Sequence, residues 1–336
     1  MPKYKVVLTD NIFPDLDIES KMLSDANADF IVIPPNGNIS DYIKDADAVI
    51  CTYVKITADL VDQMEKCRII IRNGVGVETI DMDACTKKGI MVANVPHYCS
   101  DEVATHTIAL VLALTRKIKQ LDHSVKNGEW NVNVAMPIYS LVDKVFGIVG
   151  FGKVPRLVVE RARAFGLHII AYDPFVSSAE MSACFVRKVD FEKLIKTSDI
   201  ISLHCPLNHS THGLFNLAVF EKMEKRPFLI NTARGPIINE KDLIIALERG
   251  LIAGAGLDVL TENIPQINNP LLEMDNVIIT PHTAWYSEES IVKRRVQTIE
   301  SVIAALEGDC PISLCNKFAL QETGKFSESF WDNKEI

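Results

Sequence analysis

The stretch Val145-Phe-Gly-Ile-Val-Gly150-Phe-Gly152-Lys153-Val154-Pro155 joins a short apolar run to a helical pattern, and the next apolar run ends in Asp173. A strand–turn–helix–strand unit of about 30 residues, glycine-rich at its first turn and acidic about 20 residues on, is suited to hold a dinucleotide. Gly150 permits the tight turn, and Gly152 lets the backbone approach a pyrophosphate. The amides of Lys153 and Val154 would point from the helix N-terminus at the phosphates. Asp173 would accept hydrogen bonds from the ribose hydroxyls and repel a 2′-phosphate, so NAD is expected over NADP. The third glycine of the usual pattern is replaced by Pro155. Proline suits a helix's first turn, but it forgoes the close helix–strand packing that a glycine allows.

Other residues capable of chemistry carry weaker signals. The eight cysteines include no pair at CxxC spacing, and they read as small buried hydrophobes in a reducing compartment. His204, His209 and His212 lie close together in a polar loop, with no carboxylate or cysteine at ligand spacing. No metal is expected there.

The elements that must position these groups are legible as alternation. Strand candidates are Lys5–Thr9, Phe30–Ile33, Ala48–Cys51, Ile69–Arg72 and Met91–Ala93, then Val145–Val149, Ile169–Tyr172, Ile200–Leu203, Phe228–Asn231, Ala255–Val259 and Val277–Thr280. Most are continuous Val/Ile/Leu/Ala runs, as in parallel strands covered on both faces. Helical patterns separate them, which predicts an α/β protein of doubly wound parallel sheets. Between the two strand sets, Ser100 is expected to N-cap a helix running through to Arg116–Lys119, with Asp101 and Glu102 in its first turn. That helix is apolar nearly all round, which predicts deep burial at a core or an interface. A second long helix is expected over Ser287–Glu307. The predicted division is residues 1–99 plus 286–336 as one domain and 100–285 as the other. The tail after Pro311 is polar with isolated aromatics, and either wraps the surface or frays.

A length of 336 residues suits two domains. Apolar residues make up 48% and charged residues 24%, which excludes wholesale disorder. The net charge of −9 argues against a nucleic-acid partner. The start MPKYKVVLTDNIFPD has no apolar signal core. The longest apolar stretch near a helix, Ile108–Leu114, is far short of the roughly 20 residues a bilayer needs. A soluble, cytoplasmic protein with no membrane partner is expected.

Several motifs in order resemble the D-isomer-specific 2-hydroxyacid dehydrogenase family. They are Arg72-Asn73-Gly74-Val75-Gly76, Asn94-Val95-Pro96, the glycine loop, His204-Cys205-Pro206-Leu207, Asn231-Thr232-Ala233-Arg234-Gly235-Pro236, Gly256-Leu257-Asp258-Val259 and Thr280-Pro281-His282-Thr283-Ala284-Trp285. The nearest branches are the C-terminal-binding-protein-like and phosphoglycerate-dehydrogenase-like ones. The resemblance implies a Rossmann NAD-binding domain inserted into a flavodoxin-like substrate domain, and a homodimer formed through the apolar helix near 101–121. Cys205, Pro206, Thr232, Ala233, Arg234, Asp258 and His282 would join the glycine loop and Asp173 around NAD. The substrate would meet the backbone of Asn73, Gly74, Val75 and Gly76, with Arg72, Lys55 and Trp285 nearby. Relatives that use phosphoglycerate tend to carry an arginine where this chain has Cys51, which argues against a phosphorylated substrate.

The chemistry of the residues agrees. Reducing a 2-oxo acid requires a hydride donor, a cation for the carboxylate and an acid for the carbonyl oxygen. Arg234 and His282 each follow a predicted strand end, where doubly wound sheets place ligands. The planar fork of Arg234 can bind a carboxylate and polarise a carbonyl. An imidazolium at His282 can give the proton, or the neutral ring can take it in the oxidative direction. The family's third catalytic residue, a glutamate five positions after the Gly-Leu-Asp aspartate, falls on Asn263. Either Asn263 orients His282 through a neutral amide, as formate dehydrogenases of the superfamily do, or Glu262 takes the role. The expected function is an NAD-dependent interconversion of a 2-oxo acid and a D-2-hydroxy acid. The alternative is an NAD(H)-sensing, corepressor-like interaction protein with weak dehydrogenase activity.

Overall fold

The computed structural model describes residues 2–262, 265–326 and 328–331. They form two compact units, residues 1–98 with 287–336, and residues 99–286.

The first unit holds five parallel strands: β1 (Tyr4–Leu8), β2 (Ala28–Val32), β3 (Ala48–Cys51), β4 (Ile69–Arg72) and β5 (Met91–Ala93). Their order is β2-β1-β3-β4-β5, the flavodoxin-like arrangement. The central strands β3 and β4 are almost wholly buried, which is why their sequences are unbroken apolar runs. The helix Glu288–Glu307 packs against β4. Ser287 caps it through a reciprocal bond with Ser290, and Gly308, in the left-handed region, ends it. Arg295 of that helix donates to Glu19 at 2.8 and 2.7 Å and to Asp15 at 2.8 Å. This ties down the segment that follows β1. The tail returns to the sheet edge. Leu314 bridges Ala93 in antiparallel sense, and the Asn316 side chain bonds Val92 N and Ile90 O of the β5 strand and its approach.

The second unit holds seven parallel strands: β6 (Val145–Val149), β7 (His168–Tyr172), β8 (Arg187–Lys188), β9 (Ile200–Leu203), β10 (Phe228–Asn231), β11 (Gly254–Leu257) and β12 (Val277–Ile279). Their order is β12-β11-β10-β9-β6-β7-β8, so the strand order reverses between β6 and β9. At such a switch point the carboxyl ends of neighbouring strands splay a crevice open for a ligand. The α/β class with two doubly wound parallel sheets is therefore the observed one.

Two local expectations fail. Ser100 is the first helical residue rather than the cap. Cys99 holds the cap position, without a side-chain capping bond, and Ser100 Oγ is buried with no hydrogen-bond partner among the described residues. The helix also stops at Thr115 instead of reaching Lys119. Lys117 turns into the left-handed region at φ 52°, and a second helix runs Ile118–Lys126. The Ser100–Thr115 helix lies on β10 and β11. A Cβ on Gly256 would meet Leu110 and Leu114 at 3.1–3.2 Å, so glycine in β11 permits this close seating. Pro155 is buried in the first turn of the Lys153–Arg163 helix, which packs through Val158, Val159 and Ala162 despite the missing third glycine.

Candidate active site

The glycine loop closes at the end of β6. Gly150 has φ +89°, and a Cβ there would lie 2.7–2.9 Å from the backbone of His204 and Cys205. Only glycine fits both conditions. Gly152 has no protein atom within 4 Å of where its Cβ would point. Its smallness is thus unexplained by the protein's own packing and leaves a gap that a phosphate can approach. Gly152 caps the Lys153–Arg163 helix without a side-chain bond, so no side chain competes for the first-turn amides. Asp173, at the end of β7, accepts Phe151 N at 2.8 Å on one oxygen, and Phe175 N at 2.8 Å and Val176 N at 3.2 Å on the other. These bonds pin the carboxylate beside the loop. A carboxylate's further lone pairs remain for ribose hydroxyls. The residues present fit a dinucleotide.

At the end of β9, His204 N bonds Val149 O at 2.8 Å, and its Nε2 shares a 2.8 Å bond with Ser202 Oγ. Burial pushes the His204 imidazole down to about 3 and the Cys205 thiol up to about 11. Both groups are neutral at physiological pH. Pro206 follows, its carbonyl taken by Thr211 Oγ1 at 2.6 Å. Among the described residues no cluster of three His, Cys, Asp or Glu side chains could hold a metal.

At the end of β10, the wholly buried Asn231 builds the next turn. Its amide donates to Arg234 O at 2.9 Å, and its oxygen accepts Ala233 N at 3.0 Å. Thr232 Oγ1 meets Thr107 Oγ1 at 2.9 Å. Arg234 emerges half-buried, its Nη1 on Ala233 O at 2.8 Å. A Cβ on Gly235 would sit 2.0 Å from Leu260 O, so the turn closes directly against the next strand's exit.

At the ends of β11 and β12, Asp258 does the equivalent work for His282. It is buried to 2% exposure. Its Oδ1 accepts Thr280 Oγ1 at 2.6 Å and Thr283 N at 2.8 Å, and its Oδ2 accepts Ala284 N at 2.9 Å. Its carbonyl takes His282 N at 2.9 Å. His282 is exposed and stands at φ +51°, a strained conformation that the surrounding bonds impose. Trp285 stacks edge-on against Tyr286 at 5.6 Å. Glu262 is exposed and lines a cleft with His212, Glu240 and Lys241. Asn263 lies outside the described residues.

In the first unit the strand order reverses between β1 and β3, where doubly wound sheets place ligands. The Arg72 side chain donates to Thr52 O at 3.2 Å. Asn73 is buried, its side chain accepting from Thr298 at 3.2 Å, so it presents backbone rather than its amide group. Gly74, at φ +154°, would clash with the Arg72 guanidinium if it carried a Cβ. Val75 and Lys55 are exposed, and Gly76 is half-buried. Cys51 is wholly inside, its thiol pushed up to about 12 by burial and set against Ile71 O. The Cys51 side chain therefore faces the core of the first unit. Two residues near these strand ends, Asp10 and Tyr53, were not among the candidates read from the sequence. Asp10 accepts the amides of Thr52 and Tyr53 at 2.9 and 2.6 Å, and Tyr53 stands 63% exposed. An acid directly after the first strand was the available cue for Asp10.

Comparison with known proteins adds the following. Residues 108–284 match the model of the NAD binding domain of D-isomer specific 2-hydroxyacid dehydrogenases. The chain is 40% identical over 276 residues to a D-3-phosphoglycerate dehydrogenase of Methanocaldococcus jannaschii, covering 82% of this chain and 52% of that protein. It is 35% identical over 294 residues to a glyoxylate reductase of Thermococcus litoralis, covering 85% and 88%. The structure of D-lactate dehydrogenase from Aquifex aeolicus, complexed with NAD and lactic acid, superimposes with a TM-score of 0.82 at 30% identity, over 90% of this chain and 96% of that one. The chain spans about half the length of the phosphoglycerate dehydrogenases it matches. Of the two branches the motifs resemble, these relatives support the phosphoglycerate-dehydrogenase-like one. Among the described residues no helix is long and apolar enough to cross a membrane.

Proposed function

The chain belongs to the D-isomer specific 2-hydroxyacid dehydrogenase family, and we propose that it is itself an NAD-dependent oxidoreductase that interconverts a small 2-oxo acid and its D-2-hydroxy acid. The second unit is assigned to NAD and the first to the substrate. The observation that carries this reading is the pair of turns at the ends of β10 and β12. A buried Asn231 and a buried Asp258 spend their side chains presenting Arg234 and His282 at the carboxyl ends of the strands, as the glycine loop is presented at the carboxyl end of β6.

NADH, when bound, supplies the hydride that adds to the carbonyl carbon. Arg234 holds the substrate carboxylate through its planar fork and draws electron density toward the carbonyl oxygen. His282 gives its proton to that oxygen as the C=O π pair becomes a lone pair, and takes it back in the oxidative direction. Asn263 or Glu262 orients the imidazole. Trp285 bounds the side-chain pocket. In the first unit, Lys55, Arg72 and the backbone of Asn73–Gly76 are assigned to substrate binding, and an unphosphorylated acid is assigned. Asp173 selects NADH over NADPH by about 2 kcal/mol or more, since a 2′-phosphate would meet its carboxylate.

A homodimer is also proposed, with a shifted location. The Ser100–Thr115 helix spends its apolar side chains inside the second unit. The segment after it exposes Ile118, Val125, Trp130, Val132, Met136 and Tyr139, with Trp130 91% exposed. These exposed apolar side chains on one segment support the reading of a partner surface there. Buried thiols such as Cys51, Cys85 and Cys205, raised by desolvation, suit the cytoplasm.

The deciding experiment is oxidation of NADH and NADPH with glyoxylate, pyruvate, hydroxypyruvate and 2-oxoisocaproate. Turnover of at least one acid with NADH preferred is expected. Equal kcat/KM for the two cofactors would remove the role of Asp173. NADH binding with no turnover of any acid would favour the nucleotide-sensing interaction protein instead.

A further inference from the structure

We propose that His106 is a positioning residue for His282, acting through Thr280 and Asp258. The proposal rests on the acid/base reading of His282 given above. His106 lies on the Ser100–Thr115 helix, 174 residues before Thr280, and its Nε2 is 3.0 Å from Thr280 Oγ1. The Thr280 hydroxyl donates to Asp258 Oδ1 at 2.6 Å. A threonine hydroxyl carries one proton. The contact with His106 therefore runs the other way: Nε2–H donates and Thr280 accepts. This places a proton on His106 Nε2 and makes a directed chain from the helix to the buried carboxylate.

Asp258 in turn takes the amides of Thr283 and Ala284 on its carboxylate and that of His282 on its carbonyl. His282 keeps its positive φ because its surroundings over-determine it. The His106 contact anchors that turn to the Ser100–Thr115 helix, an element outside β11 and β12. The helix behind it is seated against Gly256 of β11 through Leu110 and Leu114. With the imidazole donor removed, the Thr280 hydroxyl retains only its bond to Asp258 and can rotate. The turn then samples conformations in which the His282 ring points away from the reacting oxygen.

The test uses the full chain with His106→Leu, which removes the donor, and His106→Gln, whose amide nitrogen can stand in for Nε2. In hydrogen-exchange measurements, the amides of His282, Thr283 and Ala284 are expected to exchange about tenfold faster in His106→Leu. They stay within twofold of wild type in His106→Gln, and protection along residues 107–115 is unchanged in both. With glyoxylate as probe, kcat falls about tenfold in His106→Leu and recovers in His106→Gln, while NADH affinity by fluorescence stays within twofold. Unchanged exchange at 282–284 in His106→Leu overturns the proposal. So does a 15N-histidine spectrum of the wild type that shows His106 as the Nδ1–H tautomer, a measurement that also decides the matter if the leucine variant does not fold. If His282→Ala keeps wild-type turnover, the acid/base reading fails on its own, and the exchange and tautomer results still decide whether His106 holds the turn.

Discussion

Replacing the two loop glycines one at a time separates folding from cofactor binding. Gly152→Ala puts a methyl where no protein atom lies within 4 Å, on an extended backbone at φ −83° and ψ −150°, away from the left-handed region that only glycine favours. The folded state meets no clash, and the unfolded chain loses freedom, so stability is expected to hold or rise by about 0.4–1 kcal/mol. The same methyl projects into the gap reserved for the pyrophosphate. NADH should then bind at least tenfold more weakly, about 1.4 kcal/mol. Gly150→Ala behaves oppositely. At φ +89° an L-residue costs about 1–2 kcal/mol. A Cβ 2.7 Å from Cys205 N and 2.8 Å from His204 C adds overpacking against backbone, typically about 1–3 kcal/mol. A total of about 3 kcal/mol corresponds to roughly 6–12 °C of Tm for a unit of this size. Calorimetry and NADH fluorescence titration on the two variants give the answer. A Gly152→Ala protein that binds NADH with native affinity would refute the placement of the phosphates, and a Gly150→Ala protein with native Tm would refute the packing argument.

Arg234→Ala should lower kcat/KM by at least 10²-fold, on the order of 3 kcal/mol, and Arg234→Lys should restore little because it lacks the fork; a lysine variant that turns over like wild type would exclude Arg234 as the carboxylate anchor. Asn263→Glu should extend 2-oxo acid reduction upward by about one to two pH units, because an added carboxylate favours the imidazolium. If Glu262 holds that role instead, Glu262→Gln should shift the profile downward and Asn263→Glu should change little, while three superimposable kcat/KM profiles would show that neither residue tunes His282. Burial holds His204 neutral down to about pH 3, whereas an unfolded histidine takes up its proton near pH 6.5. Between those values the unfolded state binds the extra proton, so stability falls as pH falls, by at most about 1.4 kcal/mol per unit. His204→Gln should flatten the drop in Tm between pH 6.5 and 4.5, and an unaltered slope would assign that drop to other groups.

The apolar runs Ala48–Cys51, Ile69–Arg72 and Val145–Val149 announce buried parallel strands because a strand covered on both faces cannot alternate. The glycine loop and Asp173 were equally legible, since tight turns and helix starts are local and leave local residue choices. Arg234 and His282 stood out through the motifs around them, not through their own type. Where the signal was local but weak, reading failed. Arg187–Lys188 is a two-residue edge strand without an apolar run, and the helix break at Lys117 lacks a glycine or proline to mark it. What tertiary structure alone decided is how the groups are held. Asp258 reads in sequence as one more residue near a cofactor, yet its side-chain oxygens go to residues 22–26 positions away. Asp10 holds a loop 42 positions on, and His106 reaches Thr280 across 174. Strand order is also absent from the sequence. The crevice between β6 and β9 exists because the chain crosses the sheet after β8 and pairs β9 on the far side of β6. Hydrogen bonds and strand pairings between distant segments are selected by the packed whole, so no short window of residues can display them.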